Sequence, residues 1–98
     1  MIKINEHTVV CAGSDQMSCD LNGEAAILQL SSGSYFGLDE VGARVWRSLQ
    51  DSTSVGEIVR ELIEEYEVGE EACRGDVVNL LAEMIEAGIV VIVDESDA

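Results

Sequence analysis

Basic side chains are scarce in this chain. Five Lys and Arg stand against twenty Asp and Glu in 98 residues, a formal net charge of −15. Lys3, Arg44, Arg47, Arg60 and Arg74 are too few to build a basic face, and phosphate binding needs one. Nucleic acid is therefore excluded as a partner, and an anionic membrane surface for the same reason. Long hydrophobic runs are also missing. No apolar stretch approaches the roughly 20 residues of a membrane-spanning helix, and Met1 to Gly13 lacks the apolar core of a secretory signal. Cysteine is sparse and odd in number: Cys11, Cys19 and Cys73 include no C-x-x-C pair. Without a secretory signal this predicts reduced thiols and a cytoplasmic location. With His7 as the single histidine, the usual cluster of closely spaced zinc ligands is absent. No metal and no cofactor is expected, and the thiols default to buried or idle positions. Phosphate-loop, dinucleotide and nucleophile-elbow motifs are lacking, as is any nucleophile–base pair. No catalytic residue is assigned.

What is present is a core. Hydrophobic residues make up 47% of the chain, too many for an acidic disordered tail. The length fits one domain, 1–98. An acidic domain of this size favours a basic peptide or a basic protein surface as partner.

The first half reads as strands. Thr8 to Ala12 is short and β-rich, followed by a Gly13–Gln16 break. Met17 to Leu21, Glu24 to Leu30 and Ser34 to Leu38 form a three-stranded antiparallel meander. Asn22-Gly23 supplies its first turn, because both residues tolerate positive φ. Whether Thr8–Ala12 joins the meander is left open.

From Asp39 the apolar period changes from two to 3.6. Asp39 caps a first helix reaching about Gln50, with Val41, Val45, Trp46 and Leu49 on one stripe. Ser54 to Glu57 fits a capping box. The second helix carries Val55, Ile58, Val59, Leu62, Ile63 and Tyr66 on one face and a run of Glu on the other, read as solvated. A third helix spans Glu70 to Ala87, stopped by Gly88. Gly75 within it costs about 1 kcal/mol relative to Ala. Ile89 to Val93 reads as a final strand, and residues 94–98 as an acidic tail. The fold class is α+β and winged-helix-like: a three-stranded antiparallel sheet, three helices and a short terminal strand. A winged helix would place its last helix in DNA, but here that helix presents Asp76, Asn79, Glu83 and Glu86, which repel phosphate.

The apolar arc of helix three spans roughly 160°, wider than the ~100° needed to face one core. Val78, Leu81 and Ile85 form the flank expected to pack inward. Val77, Leu80 and Met84 are left either to line a binding surface or to meet core on a second side. Met84 suits both roles. If Ser34–Leu38 is the sheet edge, a peptide can add to it as a further strand. Asp76 and Glu83 would then form a negative rim that attracts lysine-bearing peptides. Trp46 reads as core, as do Phe36 and Leu38, which share one strand face. Tyr35 points the other way and is either a peptide contact or an ordinary half-exposed strand residue. Arg74 is expected to pair with Glu70 or Glu71.

The segment S-S-G-S-Y-F-G-L-D-E-V-G-A-R-V-W at 31–46 resembles the strand-to-helix signature of the coenzyme-PQQ-synthesis protein D (PqqD-like) family. Glu57-Ile58-Val59, Glu64-Glu65-Tyr66 and D-V-V-N-L-L-A-E-M-I-E-A-G-I-V at 76–90 extend the resemblance over about residues 17–93. These are peptide-recognition elements of pathways that modify ribosomally made peptides. The Tyr-Phe-Gly-Leu-Asp strand end is most similar to the stand-alone leader-binding proteins of lasso-peptide clusters. The resemblance implies that a precursor's leader peptide docks as an added strand between the third meander strand and helix three. It implies delivery to a leader peptidase of the transglutaminase-like cysteine protease type, and through it to a cyclase. The family's strand positions fall on Ser34, Tyr35, Phe36, Gly37 and Leu38, and its groove helix on Cys73 to Met84. With the periodicity above, the peptide-binding candidates on that helix are Cys73, Asp76, Val77, Leu80, Glu83 and Met84. Two alternatives accompany this reading: a PQQ-biosynthesis-type peptide chaperone, and an acidic winged-helix regulator or nucleic-acid mimic that occupies a basic protein. Residues 1–16 lie outside the signature.

Overall fold

A computed structural model describes residues 4–94, without the side chains of Leu21 and Asp94. The tail expected at 94–98 lies outside the described residues apart from the backbone of Asp94. The element order is β1 (Val9–Ala12), β2 (Gln16–Leu21), β3 (Glu24–Gln29), β4 (Tyr35–Leu38), α1 (Glu40–Ser48), β5 (Thr53–Ser54), α2 (Val55–Tyr66), α3 (Glu70–Glu86) and β6 (Val90–Asp94).

The meander forms as β2-β3-β4, all antiparallel. Asn22 and Gly23 take the positive φ angles (53° and 86°) of the expected turn. Its inner face buries Ala25, Ile27 and Leu38, and α1 packs against it through β3 and β4.

The first strand goes elsewhere. β1 is the centre of a second antiparallel sheet, with β6 on one side and the two-residue β5 on the other. This explains why both segments are so apolar: Val10 and Val90 are fully buried, and their strands bring chain start and chain end together. Thr53 and Ser54, expected as part of a polar break and a helix cap, also serve as strand. Buried Thr8 is satisfied by Asn5, whose backbone N–H donates to Thr8 Oγ1 at 3.0 Å, while the Thr8 carbonyl accepts from Val55 at 3.2 Å. The two sheets and three helices share one core, with Leu49, Ile58, Leu81, Met84 and Ile89 at its centre.

The helix caps follow the sequence closely. Asp39 Oδ1 accepts from the Gly42 N–H at 2.8 Å, and Ser54 Oγ from Glu57 N–H at 3.2 Å. The capping box is half made, because the Glu57 carboxylate pairs with Arg60 at 2.8 Å rather than reaching back. Helix α1 ends at Ser48 with Leu49 as its cap, two residues earlier than expected. Trp46 is buried as expected, whereas Val41 is 44% exposed. Gly75 does not break α3, which is continuous from Glu70 to Glu86. It is exposed, and an added Cβ would meet nothing within 4 Å. Gly75→Ala is therefore expected to stabilise the fold by about 1 kcal/mol, read as a higher urea midpoint with unchanged m. A lower midpoint would refute this.

The inward face of α3 differs from the expected one. Cys73, Val77, Leu81 and Met84 are buried, while Val78, Leu80 and Ile85 are only partly covered. The helix is rotated relative to the expected orientation because it meets core on two sides: α2 along one flank and β6 along another. Met84, at 0% exposure, belongs to the core rather than to an open surface.

Candidate functional site

A groove of about 740 Å³ opens between β4 and α3. Phe36, Gly37 and Leu38 form one wall. The opposite wall is a single stripe of α3, Ala72, Cys73, Asp76, Val77, Leu80 and Glu83, at the i, i+4, i+8, i+11 spacing of one helix face. Val41, Gly42 and Val45 from α1, and Leu62, Tyr66 and Val68 from α2 and the linker after it, complete the lining.

Local sequence explains how these walls come together. Asp39 caps α1 directly after β4, so strand and helix meet at a sharp corner. Gly42 permits the close approach: a Cβ there would lie 3.1 Å from Leu38 Cδ2. This corner throws Val41 out of the core and onto the groove mouth. Phe36 is half-buried and available to the groove, while Leu38 is buried beneath it.

The groove is apolar inside and acidic at its rim. Asp39, Asp76 and Glu83 are exposed carboxylates along it. No Lys, Arg or His lines it among the described residues. The arginines are engaged elsewhere. Arg74 bonds Glu70 at 3.1 Å, as expected, and also Glu6 at 3.2 Å. Arg44 bonds Glu65 at 3.0 Å. Among the described residues no three His, Cys, Asp or Glu side chains are grouped to hold a metal ion, and no helix is long and apolar enough to cross a membrane.

Cys73 sits in the groove wall at 6% exposure. Burial pushes its thiol above its ordinary value; the charge of Asp76 adds to this and Arg74 opposes it. Cys73 is thus a neutral, apolar wall residue at pH 7. Since the thiolate is the reactive form, iodoacetamide is expected to modify exposed Cys19 first and Cys73 last, measured by peptide mass spectrometry. Equal rates at the two sites would contradict this account.

Of the residues singled out from sequence, the structure brings Phe36, Gly37, Leu38, Cys73, Asp76, Val77, Leu80 and Glu83 into one groove. Ser34 and Tyr35 do not line it. Ser34 belongs to the turn before β4, its carbonyl accepting from Gln29 at 2.9 Å. Tyr35 lies on the other face of the sheet. Met84 lies behind the groove wall. Val41, Tyr66, Val68 and Ala72 line the groove without having been singled out. By spacing alone Val41 and Tyr66 fall on core stripes, and the signal for Val68 is an apolar residue isolated in a Glu67–Gly69 linker.

β4 is the end strand of its sheet, and its outer side has no strand partner among the described residues. The groove therefore runs beside a row of open backbone hydrogen-bonding groups. An extended peptide is the ligand such an arrangement accepts: main chain along β4, alternate side chains into the groove.

The chain matches the family model of coenzyme PQQ synthesis protein D (PqqD) over residues 24–90. Among solved structures it is similar to TbiB1 in complex with the TbiA(beta) leader peptide, at 28% identity and a TM-score of 0.77, covering 89% of this chain and 99% of that one. A lasso peptide synthetase B1 complexed with the leader peptide shares the fold, at 22% identity and a TM-score of 0.74, covering 84% and 96%. No curated protein matches the chain.

Proposed function

The chain belongs to the family of coenzyme PQQ synthesis protein D, and on that premise we propose that it is a non-catalytic adaptor for the leader segment of a ribosomally made precursor peptide, of the lasso-peptide type. The leader binds by strand addition to β4, its inward side chains in the groove facing α3. The adaptor then presents the precursor to a leader peptidase of the transglutaminase-like cysteine protease type and onward to a cyclase.

The observation that carries this reading is the coincidence of an open strand edge with an apolar groove along it. Both similar structures hold a leader peptide. The acidic rim and the net charge of −15 favour leaders with lysine or arginine beside the apolar anchors. That attraction acts mainly on the association rate and is screened by salt.

Titration of a synthetic leader from the precursor encoded nearest to this chain tests the reading. Binding at micromolar concentration is expected, with association slowed several-fold between 50 mM and 500 mM salt and dissociation little changed. Absence of binding would overturn it. Addition of the cognate peptidase tests the second half: cleavage of the precursor is expected to need the adaptor, and cleavage at full rate without it would remove the presenting role.

A further inference from the structure

The outward face of the meander carries an apolar row that the groove does not use. Met17 pairs with Leu28, and Leu28 with Tyr35, across the three strands. All three are exposed, at 63%, 40% and 71%. The row ends on β4, the strand with the open edge.

Tyr35 is laid along that edge. Its partner two residues on is Gly37, on the same outward face. A Cβ built on Gly37 would lie 3.5 Å from Tyr35 Cε1 and 3.6 Å from Tyr35 Oη. The ring therefore lies in van der Waals contact with the place that a residue-37 Cβ would occupy. Most of the Tyr35 side chain is nevertheless open to solvent.

A strand added to β4 would run about 4.8 Å from it, with directly opposed side chains about 5 Å apart. Its residues opposite Phe36 and Leu38 would point inward, to the groove. The residue between them, opposite Gly37, would point outward and lie against the exposed side of the Tyr35 ring. Leu28 lies beside Tyr35 on the neighbouring strand, on the side of β4 away from the added strand, and supports the ring from there.

We propose that Tyr35 is a specificity residue that selects an apolar or aromatic side chain at this outward position, so that the chain reads an added peptide on both of its faces. The proposal rests on the strand-addition reading above and deepens it. The groove alone would choose apolar residues at alternate positions, i and i+2. With the Tyr35 shelf the choice extends to i+1, and the preferred ligand holds three consecutive apolar residues instead of the usual alternation. Gly37 belongs to the same device, because a side chain larger than alanine there would meet the ring.

A displayed library of linear 12-residue peptides, selected in parallel on the wild-type chain, Tyr35→Phe and Tyr35→Ala, tests this. Wild type and Tyr35→Phe are expected to enrich apolar residues at i, i+1 and i+2. Tyr35→Ala is expected to keep i and i+2 and to lose the enrichment at i+1. A peptide selected on the wild type should bind Tyr35→Ala about 5-fold more weakly, the upper range for an aromatic cross-strand pair. Alanine at i+1 of that peptide should cost the wild type a similar factor and cost Tyr35→Ala nothing further. Enrichment at i+1 that is absent from the wild type, or survives unchanged in Tyr35→Ala, would overturn the proposal. So would a Tyr35→Ala chain that is merely less stable, with additive effects of the two substitutions. A library yielding no binder on the wild type would overturn strand addition itself, and the shelf with it.

Discussion

Leu80→Asp is expected to weaken leader binding about 100-fold and to leave the fold intact. Leu80 is half-buried on the groove stripe of α3. Burying a leucine side chain contributes about 1.5–3 kcal/mol, and the part of that gain still open in the free chain is made only when a peptide covers the groove. The new carboxylate would also sit four residues from Asp76 and three from Glu83, adding a third negative charge to one helix face. It would have to lose water as the peptide docks. About 2.7 kcal/mol of lost binding corresponds to 100-fold. Calorimetric titration of the leader gives the affinity, and circular dichroism with a urea melt verifies the fold. Leu80→Ala serves as the milder companion, with about a 10-fold loss expected. Unchanged affinity in Leu80→Asp would remove the groove from the binding mechanism.

Met84→Ala, one turn away on the same helix, is expected to act in the opposite manner. Its side chain is fully buried in the core that the helices and sheets share. Truncation removes buried methylene and thioether contacts and leaves a cavity, at a cost of about 2–4 kcal/mol. For a domain of this size that is a large part of the total stability. The urea midpoint should fall with the m-value unchanged. Leader affinity, measured where the variant remains folded, should stay within a factor of about two of the wild type. The pair separates binding from stability on a single helix: Leu80 moves affinity, Met84 moves the melt. If Met84→Ala instead lowered affinity without lowering the midpoint, the placement of Met84 behind the groove wall would be wrong.

The contrast between these two residues also marks where sequence reasoning reaches its limit. Periodicity identifies an apolar arc on α3 that is too wide for one core face, and so points to a second use of the helix. Periodicity does not fix the rotation of the arc. Val77, Leu80 and Met84 lie close together on a helical wheel, yet Met84 is fully buried in the core while Leu80 stays at the opening. That outcome depends on how distant segments pack against the helix, and no local pattern encodes it. Val41 makes the same point. It fits the α1 stripe by spacing, but the sharp Asp39 corner and the close contact of Gly42 with Leu38 turn it outward.

Local chemistry is legible where its causes are local. Asn22-Gly23 permits one kind of turn, Asp39 and Ser54 supply caps, and Gly88 takes the positive φ of 83° that ends α3. Composition alone excludes a phosphate-binding face, because charge is additive along the chain. Pairing between distant strands is different. The apolar segments at 9–12 and 90–94 each read as a strand, but nothing in either names the other. Their union in a second sheet is decided by the shared core they close. The sequence by itself determined the longer strands, the helices, the caps and the acidic character of this protein, since these follow from backbone preference and net charge. Only the tertiary structure decided which strand edge stays open, which face of α3 borders it, and that Tyr35 lies against Gly37 beside it, since each of these depends on how the segments pack against one another.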